Sequence, residues 1–211
     1  MKNKLLLLLL GFLPLFSMAQ NEDLELWSSI KFSKKINAKL RFELEEQVRW
    51  ADSISVYKKN YTDIGFRYKP FKSHSLSANL RLINKADNDK HLRAHIDLSS
   101  DIDVKKLSLI IKQRIRIQQS WDELGAIDKT YFRSKWGVEV KTNFITPYIA
   151  HEFYWKVDQQ PNLDQQRSTI GVAWDMSDDI KTKLFLRKEN EINKKNPDKL
   201  NIIGIGARYK F

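Results

Sequence analysis

Apolar and polar residues alternate with a period of two through nearly the whole chain. The clearest example is INAKLRFELEEQVRW, residues 36–50, in which apolar side chains occupy one parity that only Glu46 interrupts. Charged and amide side chains fill the other parity. The segment also carries an i, i+4 apolar stripe, but more positions match the two-residue template, which predicts a strand. The same alternation recurs in eleven segments separated by turn-forming residues, so the pattern predicts an all-β domain built of hairpins.

The connections between the predicted strands alternate in character. Short turns near residues 34, 71, 103, 143 and 178 alternate with longer, more polar loops near residues 53, 87, 124, 161 and 196. Short periplasmic turns and longer extracellular loops are typical of bacterial outer-membrane barrels, whose single chains have even numbers of strands. The pattern therefore predicts a closed antiparallel up-and-down transmembrane β-barrel of about 10–12 strands, with 10 or 12 expected rather than 11.

Alternation alone does not say which face is inside, and a soluble periplasmic ligand-binding β-barrel is the alternative. Two features favour the membrane barrel. The polar faces carry both signs of charge in nearly every strand, which suits a water-lined lumen. Aromatic residues lie towards the strand ends, as expected of girdles at the two membrane interfaces. These aromatics are Trp27, Trp50, Tyr57, Tyr68, Trp121, Tyr131, Trp155, Trp174 and Tyr209.

The chain begins with a segment of the secretory type. Residues 1–19, MKNKLLLLLLGFLPLFSMA, combine Lys2 and Lys4, an apolar run and small residues ahead of a cleavage site after Ala19. The apolar run is too short for a membrane-spanning helix, which needs about 20 residues. We therefore expect a cleaved signal peptide at 1–19 and an outer-membrane barrel at 20–211.

The last strand, NIIGIGARYKF, places Ile203, Ile205, Ala207, Tyr209 and Phe211 on one face. It resembles the closing strand of outer-membrane barrels, in which a terminal aromatic after alternating apolar residues is read by the barrel-insertion machinery. Ala207, Tyr209 and Phe211 would form that signal. The segments LELWSSIKFSKKINAKLRFELEEQVRW, YTDIGFRYKP and IGIGARYKF resemble an uncharacterised family, a domain of unknown function, of Gram-negative outer-membrane β-barrel proteins. The resemblance implies outer-membrane location and supplies no catalytic residue.

The net charge and the absence of cysteine limit the chemistry and the binding partners that we expect. The formal net charge is +11 and the chain has no cysteine, which excludes disulfides and thiolate chemistry. The basic residues are spread along alternating strands, so no nucleic-acid partner is expected. Anionic lipid and lipopolysaccharide phosphates attract such charges at a membrane surface. We expect a monomer that contacts outer-membrane lipid and, during biogenesis, the insertion machinery.

The inward parity carries a dense network of charges. It has two interpretations: an anion-preferring lining of a narrow pore, or an ion-pair ladder that fills the lumen and fixes strand register. The strand number lies between filled 8-stranded barrels and open 16-stranded porins, which favours the ladder. The network comprises Arg41, Glu43, Glu45, Arg67, Arg81, Arg93, Arg114, Arg116, Glu139, Glu152, Arg167, Arg187 and Glu189.

One enzymatic alternative rests on the outer face. Ser134 and His151 share the outward parity of adjacent strands, and a Ser–His pair is the nucleophile–base arrangement of an outer-membrane phospholipase. The sequence offers no third member or oxyanion site. His95 is interpreted as a lumen hydrogen-bonding residue. We therefore expect no enzymatic activity, no cofactor and no metal, and a structural, interaction or narrow-transport role.

Overall fold

Eleven β-strands make up almost all of the computed structural model, which describes residues 23–158 and 161–211. The predicted signal peptide lies outside the described residues. The strands are rich in Ile and aromatic residues, whose side chains favour extended backbone. Their bounds are β1 (Asp23–Lys35), β2 (Leu40–Ala51), β3 (Val56–Tyr68), β4 (His74–Lys85), β5 (Lys90–Val104), β6 (Leu109–Trp121), β7 (Ile127–Val140), β8 (Ile145–Lys156), β9 (Asn162–Asp175), β10 (Ile180–Glu191) and β11 (Lys199–Lys210).

The strands close into one barrel, in which each strand pairs with its sequence neighbours and β1 pairs with β11. Consecutive strands are antiparallel, but the closing pair is parallel, with Ile30 opposite Ala207. An up-and-down chain with an odd strand number returns to its first strand in the same direction, so this geometry follows from eleven strands. The predicted closed barrel of 10–12 strands is confirmed, whereas the expectation of an even number is wrong.

The polarity of the barrel is the reverse of that of a water-soluble domain. Leu80, Ile96 and Ile117 point outward and are 54%, 57% and 61% exposed. Asp97 and Arg116 lie on the opposite face of the sheet and are only 6% and 7% exposed. A closed sheet also pairs its backbone groups without leaving an edge, which a structure in lipid requires. The interior is therefore polar and the outer surface apolar, as expected of a membrane barrel rather than of a soluble one.

A small apolar cluster lies within this polar interior. Trp27, Phe185 and Ile202 are all buried and pack against one another. Gly204 lies opposite Trp27 on one side and Phe185 on the other. A Cβ atom at position 204 would overlap the Phe185 ring. The glycine therefore makes room for the large aromatic ring of Phe185.

The first hairpin turns later than the pattern indicates. Residues 33–35 read as a turn but belong to β1, and the chain reverses at residues 36–39. The Asn37 side chain explains the position, because its Oδ1 accepts hydrogen bonds of 2.9 Å from the backbone N–H groups of Lys39 and Leu40. Asn and Asp favour turns by such local bonds.

The ten connections separate into two sets at the two ends of the barrel. Those at the end that carries Phe211, termed the Phe211 end, have four or five residues. Those at the other end, termed the far end, have four to seven, and residues 192–198 form the longest. The difference in length is smaller than predicted, but the chain terminus does share an end with the shorter set. No helix in residues 23–158 and 161–211 is long and apolar enough to cross a membrane.

Candidate functional site

The inward faces of the strands surround a cavity of about 780 Å³ that extends along the barrel interior. Its lining includes Lys112 and Lys181 near the Phe211 end and Lys129 and Lys194 near the far end. Eighteen lysines and arginines line it, against ten aspartates and glutamates. The lining therefore has an excess of eight positive charges, and we take this charged lumen as the candidate functional site.

The predicted charge network largely coincides with this lining. Twelve of its thirteen residues line the cavity. Alternation predicts this property, because it assigns each residue to one face of the sheet. Arg41 is the exception and lies at the Phe211 end, where it is opposite Lys35 on one side and Arg67 on the other. The twelve are Glu43, Glu45, Arg67, Arg81, Arg93, Arg114, Arg116, Glu139, Glu152, Arg167, Arg187 and Glu189.

Some predicted members are ion-paired with each other. Arg67 donates to Glu43 at 3.1 Å, and Arg114 donates to Glu152 at 2.5 Å. Arg167 and Glu189 form a further pair across β9 and β10. Ionised pairs of this kind are the stronger hydrogen bonds of a protein. These contacts place the predicted residues in a connected network rather than in isolated positions.

Other predicted members pair with residues that the sequence reasoning left out of the network. Arg116 makes a bidentate pair with Asp97, at 2.5 and 2.7 Å. Arg81 pairs with Asp63. Lys31 pairs with Glu43 at 2.9 Å. The strand parity of the omitted residues was visible in the sequence, and extending the network to every polar inward position would have found them.

The guanidinium of Arg133 is a junction that the prediction also missed. It donates to Glu152 at 2.7 Å and to the Gln118 side chain at 2.8 Å. It also donates to the Tyr154 hydroxyl and lies 4.0 Å from the centre of the Tyr154 ring. Glu152 of β8 thus pairs with two arginines, Arg133 of the neighbouring strand β7 and Arg114 of β6.

Arginines and aromatic rings form a band around the lumen, termed here the arginine–aromatic collar. Its members lie on nine of the eleven strands. Cation–π contacts connect all of them except Arg93, which is the cross-strand neighbour of Arg81. Arginine stacks readily on aromatic faces because its guanidinium is planar and weakly hydrated. The collar consists of Trp27, Arg49, Tyr61, Arg81, Arg93, Arg133, Tyr154, Arg167 and Arg187.

The collar is centred on Trp27 and Tyr61. The guanidinium of Arg49 lies 3.3 Å from the Trp27 ring centre and 4.4 Å from that of Tyr61. Arg187 approaches Trp27 at 5.0 Å, and Arg81 approaches Tyr61 at 4.8 Å. The position of Trp27 is fixed by the apolar cluster to which it belongs and by the hydrogen bond that its indole N–H donates to Glu25. Burial of rings among arginines in this way holds long, flexible side chains in defined positions.

Two aromatics assigned to the membrane girdles therefore face the lumen instead. Trp27 is 2% exposed, and Tyr131 lines the cavity and donates to Asp164 at 2.7 Å. The Trp27 Nε1 donates to Glu25 at 2.5 Å, and Lys58 pairs with the same carboxylate. Their polar-face parity was evident, but position near a strand end does not determine the direction of a side chain.

His95 faces the lumen, as predicted, and is 4% exposed. Its Nε2 lies 4.0 Å from Asp63 Oδ1, beyond hydrogen-bond range. In residues 23–158 and 161–211, no three His, Asp or Glu side chains are grouped as metal ligands. The groups that line the lumen are mainly guanidinium, ammonium and carboxylate groups.

The Ser134–His151 pair of the phospholipase alternative is not formed. The register places Ser134 opposite Phe153 and His151 opposite Trp136, so the two residues are diagonal neighbours. Ser134 Oγ accepts a hydrogen bond from the Trp136 indole at 3.0 Å. His151 Nδ1 is instead 3.0 Å from the Ser168 hydroxyl on β9. The pairing of β8 with β9 decides this contact, and alternation within one hairpin does not reveal it.

The predicted C-terminal signal lies on the outer face. Tyr209 and Phe211 are 39% and 55% exposed, and their rings stack with centroids 5.5 Å apart. Ala207 shares their parity. The Phe211 backbone bonds to Ser33 and Lys35 at 3.1 and 3.0 Å, so the terminus is joined to β1.

Apolar outside, charged inside and closed without an edge, the structure defines a barrel of the transmembrane type. The chain belongs to the family described as "Protein of unknown function (DUF2490)", which matches residues 24–201. No curated protein matches the chain. Among solved structures it is similar to one named "KdgM porin", with a TM-score of 0.51, 13% identity, and coverage of 86% of this chain and 89% of that one. That similarity concerns the fold, and together the two comparisons confirm the predicted resemblance.

Proposed function

We propose that the protein is an outer-membrane β-barrel, exported by a cleaved signal peptide, whose lumen is a narrow passage that prefers small anions. The observation that carries the proposal is the cavity lining, with its excess of eight positive charges. A charged, confined lumen raises the local concentration of ions of opposite sign. Carriage of small anions is therefore the activity that this geometry supports best.

The apolar exterior supports the membrane location. Soluble monomers rarely expose contiguous apolar patches of more than a few hundred Å². Here the apolar residues of successive strands, such as Leu80, Ile96 and Ile117, face outward side by side. A soluble ligand-binding barrel would have the opposite arrangement, with an apolar interior. The name of the similar structure, a porin, agrees with this proposal.

The ion pairs support a passage with fixed walls rather than a filled interior. They run along the wall between neighbouring strands, as between Asp97 and Arg116 or Arg81 and Asp63, and the cavity remains beside them. Barrels of 8 strands are filled by side chains, and those of 16–18 leave an aqueous channel. Eleven strands give an intermediate bore, in which fixed charges act at short range on whatever enters.

Orientation follows from the lengths of the connections. The Phe211 end is expected to be periplasmic, because the shorter connections lie there. The far end, with the connection at 192–198, would then face outward towards lipopolysaccharide. We propose that the protein acts as a monomer there.

Two experiments test this proposal. Cell fractionation is expected to recover the protein in detergent-soluble outer membrane, and recovery in the soluble periplasm would overturn the location. In planar bilayers under a KCl gradient, we expect discrete channel openings. The sign of the zero-current potential should show that chloride permeates more readily than potassium. Absence of conductance, or a preference for potassium, would overturn the anion passage and leave the ladder interpretation.

A matched pair of charge reversals sharpens the second experiment. Lys183 lines the cavity, so Lys183→Glu should reduce the preference for chloride. Lys106 lies in the 3₁₀ turn at the Phe211 end, outside the cavity lining, so Lys106→Glu should leave the potential unchanged. Equal shifts from both variants would mean that surface charge, rather than the lumen, sets the selectivity.

A further inference from the structure

The collar contains six arginines, three of which are ion-paired with neighbouring carboxylates. Arg81, Arg133 and Arg167 are ion-paired with Asp63, Glu152 and Glu189 respectively. The other three collar arginines donate to neutral side chains. Arg49 donates to Gln47 at 2.9 Å, Arg93 to Ser120 at 2.9 Å and Arg187 to Thr169 at 3.0 Å.

Two of the collar arginines are direct cross-strand neighbours. Arg81 of β4 is opposite Arg93 of β5, and both side chains line the cavity. Opposite residues of like charge destabilise a sheet. Asp63 compensates Arg81, but Arg93 has only the neutral Ser120 as hydrogen-bond acceptor among the contacts of the described chain. A mobile anion beside Arg93 would relieve this repulsion.

The aromatic rings determine how the guanidinium groups meet a ligand. A ring stacked on the flat face of a guanidinium leaves its N–H edge as the direction for hydrogen bonding. The Arg187 guanidinium lies over two rings, 5.0 Å from the centre of Trp27 and 4.8 Å from that of Phe185. Arg93 and Arg187 remain partly exposed to the cavity. Fixed N–H edges on several strands suit an oxyanion whose oxygens point in several directions.

We propose that the collar is a binding site for a multivalent oxyanion of the phosphate class, either free phosphate or the phosphate of an organic ester. The proposal rests on the anion passage proposed above and identifies the part of the lumen that binds. Guanidinium groups form charge-assisted, often bidentate bonds to phosphate oxygens. Chloride offers no such geometry, so the site distinguishes phosphate from chloride by more than charge.

Calorimetric titration of the detergent-purified barrel tests the site directly. Inorganic phosphate is expected to bind in constant NaCl, and glycerol phosphate in a second titration separates an ester site from a site for the free ion. The variant Arg93→Gln with Arg187→Gln should weaken binding by about tenfold or more, since each charge-assisted hydrogen bond is worth roughly that factor. The control Lys112→Gln with Lys181→Gln removes the same charge near the Phe211 end and should change binding less than about threefold.

Heat-modifiable gel mobility verifies that each variant is folded, and Arg93→Lys with Arg187→Lys provides a milder change that keeps the charges. This variant should bind phosphate with intermediate affinity, because an ammonium lacks the planar fork. No phosphate binding by the parent barrel, or equal loss in the collar and control variants, would overturn the proposal.

Channel recordings separate this proposal from the one on which it rests. Phosphate added to a chloride-conducting barrel should reduce the current in the parent and not in the collar variant. A barrel that conducts chloride but binds no phosphate would refute the collar site and retain the anion passage. A barrel that binds phosphate at the collar without conducting would refute the passage and retain the site.

Discussion

The Asp97–Arg116 pair provides the sharpest test of what holds the barrel interior together. Both side chains are 8% exposed, and the carboxylate accepts two hydrogen bonds from the guanidinium. Asp97→Asn keeps the shape of the side chain but leaves Arg116 charged, directly opposite Arg133 in the register. Breaking a buried pair from one side costs about 3–5 kcal/mol. We expect the lower bound, about 3 kcal/mol, because the pair borders a polar cavity.

An exposed pair of the same chemistry supplies the control. Asp103 and Lys141 form an ion pair at the Phe211 end, with side chains 45% and 40% exposed. Asp103→Asn should cost at most about 1 kcal/mol, because exposed pairs are screened by water. Urea unfolding of the vesicle-inserted barrel, followed by tryptophan fluorescence, measures both changes in the free energy of unfolding.

A double variant completes the cycle. Asp97→Asn with Arg116→Gln removes both charges, and we expect it to regain most of the lost stability, because replacing a whole buried pair is often nearly neutral. Equal losses for Asp97→Asn and Asp103→Asn would refute the reasoning, since the lumen would then screen its charges as well as bulk water does. The ion pairs would in that case have no role in holding the strands.

Two further predictions concern packing and closure. Gly204→Ala should destabilise the barrel by about 1–3 kcal/mol, because the added methyl group overlaps the Phe185 ring. Gly206→Ala should cost less, because the methyl group there meets mainly flexible side-chain atoms. Equal urea midpoints for the two variants would contradict this prediction. The cysteine-free chain with Ile30→Cys and Ala207→Cys should form an intramolecular disulfide under mild oxidation, because these residues are paired in the parallel closing strands. Each single variant is the control, and a reduced pair in the folded barrel would argue against parallel closure.

Side-chain direction and most of the lumen follow from alternation, because a period of two fixes the face on which each residue lies. Twelve of the thirteen predicted network residues therefore line the cavity. The partners in each ion pair were harder to predict from the sequence. Arg114 of β6 pairs with Glu152 of β8, two strands away, because long side chains reach past an intervening strand. The parallel closing pair relates the two ends of the chain, about which local pattern carries no information.

The ladder and the passage are compatible because carboxylates in this lumen are shared. Glu152 accepts bonds from Arg114 and Arg133, and Glu43 pairs with both Lys31 and Arg67. One acid that holds two cations fixes both side chains and leaves one positive charge in excess. Repeated around the wall, this sharing gives a network that is held together by ion pairs yet remains basic. The residues that fix the strands would thus also produce the positive field on which the proposed anion passage depends.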